Sequence, residues 1–343
     1  MFYIRADANE IIGTGHVMRC LYIADEMRRQ GETVTFLFAD DRTRDLIEGK
    51  GFNGICLNSV WNELDREIEH MKKLIDELGI GKLLIDSYYV TEHYLQELKS
   101  ATKIIYIDDL FAFPYPVHML VNYNIFANAA KYQCLYGDRY REIQFALGCE
   151  YAPLRQEFCG YKRVVNDKVK SIFITSGGTD IYNLTGNLLN SLETQDWFDE
   201  TDVHVIVGRF NENKEALEKK WASYKNVKLH YNIPNIADYM KSCDIAVSAG
   251  GVTTYELCAC GIPTVMYTLA DNQMEIAQVV SEKATIYYAG DVREDVDACV
   301  NNIITKINVL RQDVNSRRGI SGRMQSVVDG NGCKRLVKRI NDI

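Results

Sequence analysis

A histidine follows directly on a Gly-x-Gly turn near the start of this chain. Residues 2–6 form a short apolar run closed by Asp7, and Gly13-Thr14-Gly15-His16 then opens a stretch with helical apolar spacing. Two glycines let the backbone turn tightly and come close to a ligand. A helix start gathers unpaired N–H groups and the positive end of the helix dipole. That end disfavours an imidazolium, so His16 is expected to be neutral and able to accept a proton. General-base chemistry at a strand–loop–helix junction is what these residues suggest.

Three further segments have the composition of ligand-binding loops. In Ser248-Ala249-Gly250-Gly251-Val252-Thr253-Thr254-Tyr255-Glu256 an apolar run feeds paired glycines and then a helix. Amides exposed there suit a diphosphate, Thr253 can add a hydroxyl, and Glu256, one turn on, has lone pairs for ribose hydroxyls. The plainer alternative is a tight turn followed by a surface carboxylate. Ser176-Gly177-Gly178-Thr179-Asp180 repeats the order of strand, glycines and helix, so the same half has two glycine-rich openings. The amides of Asp271-Asn272-Gln273 can read sugar hydroxyls or simply cap a helix. Gly13-x-Gly15 begins like a dinucleotide fingerprint, and Asp40 stands where a ribose-binding acid would. Met18 replaces the third glycine, which disfavours an NAD site. No His, Cys or Asp cluster has metal-ligand spacing, and the adjacent Asp108 and Asp109 suit capping or substrate hydrogen bonds better than a divalent ion. No cofactor is expected.

The elements that must hold these residues alternate between strand and helix in both halves. Strands are predicted at 2–6, 33–38, 82–85, 103–107 and 118–121, and helices at 16–29, 42–50, 62–78 and 91–98, the last capped by Thr91. Several of these strands end in carboxylates, namely Asp7, Asp40, Asp86 and Asp108, on the edge where an open parallel sheet takes its ligands. Pro153, Gly160 and mixed charges mark 151–168 as a linker. The pattern then restarts. Strands are predicted at 171–174, 203–207, 227–230, 244–247 and 264–267. Helices are predicted from Tyr182 and at 214–221, 236–241, 252–260, 272–283, 296–310 and 332–340. The expectation is an α/β chain: two Rossmann-like doubly wound domains facing across a cleft, residues 1–150 and 169–343. The last helix is free to pack back on the first domain.

At 343 residues, two domains are the natural prior. A net charge of −8 argues against nucleic acid and anionic membranes as partners. No run approaches the roughly 20 apolar residues of a membrane span, and Arg5 and Asp7 interrupt the first apolar run, so no signal peptide is expected. Ten scattered cysteines without a CxxC pair fit a reducing cytoplasm. Cys258 and Cys260 read as small core residues of an apolar helix.

Together these motifs resemble a known family. The carrying residues are Arg5-Ala6-Asp7, Gly13-Thr14-Gly15-His16, Arg19, Ile85-Asp86-Ser87-Tyr88, Ile107-Asp108-Asp109 and Asn122-Tyr123-Asn124. The segment from Gly148 through Tyr151, Leu154 and Arg155 to Phe158 and the Ser176–Asp180 motif add to them. Over nearly the whole chain they are similar to the UDP-2,4-diacetamido-2,4,6-trideoxy-β-L-altropyranose hydrolases of bacterial pseudaminic acid synthesis, with relatives labelled spore-coat polysaccharide biosynthesis proteins. The second half also resembles the UDP-binding domain of the undecaprenyl-muramoyl-pentapeptide N-acetylglucosaminyltransferase, a GT-B glycosyltransferase. That likeness implies Ile233 at the uracil, Gly250, Gly251, Val252 and Thr253 at the diphosphate, and Glu256 at the ribose. It also places Asn272 and Gln273 at the sugar, Asn272 standing where the transferase has glutamine. Gly177 and Gly178 join the UDP-binding candidates.

The hydrolase likeness implies metal-free, inverting attack of water at the anomeric carbon, with UDP leaving and His16 as base. Asp7, Tyr88 or Asp108 would orient the water, the base or the sugar, beside Gly13, Gly15 and Arg19. It also implies a monomer whose partner is a UDP-sugar. A glycosyltransferase with a hydroxyl acceptor, a non-catalytic nucleotide-sugar binder and a hydrolysing 2-epimerase are the competing readings.

Overall fold

The structure is a computed structural model that describes every residue except Pro234 and the side chain of Asn272. The chain divides into two compact units, Met1–Gln156 with Asn331–Ile343, and Glu157–Gly330. Each is a doubly wound, Rossmann-like domain built on an all-parallel sheet.

The first unit has strands β1 (Phe2–Ala6), β2 (Val34–Phe38), β3 (Asn53–Cys56), β4 (Lys82–Asp86), β5 (Lys103–Ile107), β6 (Met119–Asn122) and β7 (Gln144–Leu147). Their order is β3-β2-β1-β4-β5-β6-β7. The helices are α1 (Gly15–Arg29), α2 (Arg44–Glu48), α3 (Ile68–Leu78), α4 (Glu92–Lys99) and α5 (Ala129–Tyr136). All five residues of β1 and of β2 are buried. A parallel strand covered on both faces must be apolar nearly throughout, which is why these runs stand out in the sequence. Strand order reverses between β1 and β4, and such a switch point opens a crevice at the carboxyl ends of the strands.

The second unit has β8 (Ser171–Thr175), β9 (Asp202–Val207), β10 (Val227–Tyr231), β11 (Ile245–Ala249), β12 (Thr264–Thr268) and β13 (Tyr287–Asp291), in the order β10-β9-β8-β11-β12-β13. Its helices are α6 (Leu184–Glu193), α7 (Lys214–Trp221), α8 (Ile236–Ser242), α9 (Thr253–Cys260), α10 (Asp271–Ala284), α11 (Val296–Gln312) and α12 (Val314–Val327). The switch point here lies between β8 and β11.

The last helix, α13 (Gly332–Asn341), belongs to the first unit and contacts α1. It buries Cys333, Leu336, Val337 and Ile340, the spacing of a single helical stripe. A Cβ on Gly332 would lie 2.0 Å from the Ala152 carbonyl oxygen, so only glycine lets the helix start this close to the chain it covers. Of residues 151–168, expected as a linker, 151–156 belong to the first unit and 157–168 to the second. There Arg163 donates through Nε to the Cys260 carbonyl (2.8 Å) and through Nη1 and Nη2 to those of Cys243 (2.8 Å) and Met240 (2.5 Å). One guanidinium thus satisfies carbonyls at the C-terminal ends of α8 and α9, where a cation is favoured.

Thr91 caps α4 as expected, its Oγ1 accepting from the Tyr94 N–H at 2.9 Å. All ten cysteines are free thiols, and Cys258 and Cys260 are fully buried in α9. Among the described residues no helix is long and apolar enough to cross a membrane.

Candidate active site

His16 is the second residue of α1 and Asp86 the last of β4, so the first unit's switch point brings them together across 70 positions of sequence. His16 Nδ1 lies 2.6 Å from Asp86 Oδ1. Arg19, one helical turn after His16, grips the same carboxylate twice, Nε to Oδ2 and Nη2 to Oδ1, both at 2.5 Å. Burial alone would raise the pKa of the fully buried Asp86. The Arg19 guanidinium and the His16 contact outweigh it and hold the carboxyl down at about 2. An ionised carboxylate only accepts, so the short contact puts the imidazole proton on Nδ1. Arg19 Nη2 also lies 3.2 Å from Nδ1, but its stronger bond is the 2.5 Å one to Asp86.

The lone pair is therefore on Nε2. Among the described residues Nε2 has no hydrogen-bond partner, and it is not one of the fully buried polar atoms that lack one. The ring is nevertheless much less open than expected of a base on a cleft wall, with 5% of the side chain exposed. Tyr88, 43% exposed, covers it edge-on, with ring centroids 4.3 Å apart. Burial and the neighbouring Asp109 push the Tyr88 phenol above its ordinary range, and its hydroxyl is 3.5 Å from Asp109 Oδ2.

Arg19 was expected to touch substrate. Its groups end on protein acceptors instead, with Nη1 donating to Asp109 Oδ2 (2.6 Å) and to the Tyr123 hydroxyl (2.7 Å). Asn124 Nδ2 reaches Asp109 Oδ1 at 3.4 Å.

Two of the three proposed orienting groups are engaged elsewhere. Asp7 accepts from Arg5 Nη1 (2.6 Å) and the Ala39 N–H (2.7 Å), inside a buried cluster that Arg5 also ties to Glu67. Asp108 accepts from the Leu110 and Phe111 amides (2.8 and 2.9 Å) and the Tyr132 hydroxyl (2.6 Å). Both carboxylates are buried and engaged by these partners, which leaves Tyr88 at His16. Asp40, the ribose-acid candidate, accepts from the Arg42 N–H and pairs with its guanidinium. Gly13 has φ +68° and closes a small loop by exchanging backbone hydrogen bonds with Asn9, and Gly15 opens α1. Asp86 was noted only as a strand end and within a family motif. The available signal was its place on the strand beside β1, next to the switch point.

In the second unit the glycine loops follow β8 and β11, the two strands at its switch point. Gly177 and Gly178 are exposed, Gly177 with φ +79°. Gly208, which sequence patterns did not single out, lies against them. A Cβ there would meet the carbonyl oxygens of Gly177 and Gly178 at 2.2 and 2.3 Å. Asp180 is buried and accepts from the Leu184 and Thr185 amides at the start of α6, a capping role.

The Gly250 and Gly251 amides were expected to face a diphosphate. They donate instead to the Tyr267 and Ala249 carbonyls, each at 2.9 Å, because the turn out of β11 consumes them. The amides without partners among the described residues are those of Val252 and Thr253, at the start of α9. Gln273 Oε1 accepts from the Leu269 N–H at 3.0 Å, and its Nε2 lies 4.0 Å from where a Gly251 Cβ would be. Glu256 sits in the first turn of α9, and Ile233 is partly exposed just after β10. Asn272 lies in the first turn of α10, and its side chain is outside what the structure describes.

Residues 171–318 match the glycosyltransferase family 28 C-terminal domain. The family 28 match falls wholly within the second unit. The chain is similar to a Campylobacter jejuni protein named UDP-2,4-diacetamido-2,4,6-trideoxy-beta-L-altropyranose hydrolase, at 28% identity over 74% of this chain and 86% of that one. An uncharacterized Methanocaldococcus jannaschii protein is 27% identical over 79% of this chain, which spans only 56% of that relative's length. The crystal structure of Acinetobacter baumannii MurG superposes with a TM-score of 0.74 at 12% identity, covering 100% of this chain and 99% of that one. The fold is thus that of GT-B glycosyltransferases, as the sequence resemblance implied.

Proposed function

We propose that this chain is a nucleotide-sugar hydrolase that releases UDP and a free 2,4-diacetamido-2,4,6-trideoxy-hexose. The observation that carries the reading is the 2.6 Å contact between His16 Nδ1 and Asp86, which leaves Nε2 as an unpartnered acceptor. The likeness to the Campylobacter hydrolase supplies the substrate class. In the proposed step, a water oxygen bonds to the anomeric carbon as the bond from that carbon to the UDP oxygen breaks. The electron pair leaves with UDP, and the water proton passes to Nε2. Displacement from behind inverts the anomeric centre. Asp86 holds the ring in the required tautomer. UDP is a good leaving group, so no strong general acid and no metal is invoked. The Val252 and Thr253 amides, at the positive end of α9, suit the charge developing on the β-phosphate.

A panel of UDP-sugars followed by NMR tests this directly. His16→Asn is expected to abolish turnover while UDP affinity stays within about twofold, since Asn cannot act as a base. Undiminished turnover by that variant would remove His16 from its role. The family 28 match favours one rival, a UDP-sugar-dependent glycosyltransferase with the same base. UDP release that is fast without acceptor and unchanged by candidate acceptors supports the hydrolase.

A further inference from the structure

Arg19 poses an electrostatic problem for the base. A guanidinium bound twice to Asp86 cancels the charge that would stabilise an imidazolium on His16. The far end of the same guanidinium rests on a second carboxylate, Asp109, at 2.6 Å. Two carboxylates and one guanidinium leave one unit of negative charge beside a neutral imidazole, and that charge is balanced when the ring takes a proton. The second carboxylate is firmly placed. Asp108 accepts from the two amides that follow Asp109, and Phe111 is held there at φ +51°, a conformation a bulky side chain rarely adopts.

Resting on the reading of His16 as the base, the geometry points to Asp109 as a positioning residue. Through Arg19 it supplies the counter-charge that makes His16 an effective proton acceptor, and it fixes the guanidinium that orients Asp86. Asp109 keeps its one short bond for Arg19, its other contacts being the 3.4 Å one from Asn124 and the 3.5 Å one from Tyr88.

The test is Asp109→Asn, which keeps shape and an acceptor but removes the charge. With one negative charge fewer, the imidazolium is less favoured, so the ring gives up its proton at lower pH. The acid limb of the kcat/KM profile is expected to move to lower pH. The kcat plateau should fall about tenfold with KM within about twofold. Asp109→Glu should restore the limb in part, and Tyr123→Phe, which removes only a neutral partner of Arg19, should leave it in place. An Asp109→Asn variant with raised KM and an unmoved limb would make Asp109 a substrate contact and overturn the proposal. An inactive His16→Asn beside a fully active Asp109→Asn would sink this proposal alone, whereas an active His16→Asn would sink the reading beneath it.

Discussion

Two switch points of the same topology carry opposite chemistry in this chain. In the first unit an imidazole and a guanidinium from the start of α1 meet two carboxylates at the strand ends, joined in a chain by contacts of 2.5 to 2.6 Å from His16 to Asp86, from Asp86 to Arg19 and from Arg19 to Asp109. In the second unit, residues 176–179 and 248–253 contain no ionisable side chain, and what they offer is glycine backbone and the start of a helix. A doubly wound sheet fixes where a ligand meets the protein, and the loops decide whether that place is charged or presents amides. The charged edge is suited to moving a proton and the amide edge to holding an anion.

The sharpest way to break this contrast is to neutralise the charged edge alone. Asp86→Asn is expected to lower kcat by about 10³, because the tautomer and its counter-charge are lost, with UDP affinity unchanged. It should also cost about 3 kcal/mol of stability, since Arg19 is left buried on a neutral partner, and urea unfolding checks this. A retained kcat would mean that the dyad is structural.

Acid separates the two units more gently. Asp86 titrates in the folded state at about 2, below its ordinary 3.8, so it contributes about 2 kcal/mol that is present above pH 4 and lost as pH falls through 2. Asp180 in the second unit is shifted the other way by burial, so its protonation favours the folded state. Hydrogen exchange at pH 3 against pH 5 is expected to show the first unit loosening before the second. The reverse order would contradict the assignment.

The smallest effect should come from crowding the amide edge. Gly208→Ala sets a methyl against the Gly177 and Gly178 carbonyls and is expected to weaken UDP binding by about tenfold. By calorimetry that loss should appear without any change in the pH profile of turnover.

With β10 excepted, an edge strand that was found although it is only partly buried, the strands that pattern reading found and those it missed differ in burial. Central strands such as β1 and β2 are buried at every position and read as apolar runs. The missed strands β3, β7 and β13 are all sheet edges with partly exposed residues, and their sequences Asn-Gly-Ile-Cys, Gln-Phe-Ala-Leu and Tyr-Tyr-Ala-Gly-Asp carry little signal. Gly54 in β3 even looks like a strand breaker, but it is required because a Cβ there would strike the Phe38 ring at 2.5 Å. The helices α5 and α12 were missed as well, and the latter begins one residue after α11 ends at the Asp313 cap.

For the site, spacing pointed to His16 but could not tell a carboxylate facing it from one turned into the core. Asp7, Asp86 and Asp108 all end strands, and only the partners of each separate them. Nor could glycine spacing reveal which amides the turn out of β11 would consume.

Because α13 returns to the first unit, the second is topologically an insertion, entered at Glu157 and left at Gly330. Two backbone crossings join the units, so one proteolytic nick between them leaves both still tethered. Removal of α13 acts on the half that carries the imidazole. To exchange the second unit for another, an engineer would have to splice an internal segment.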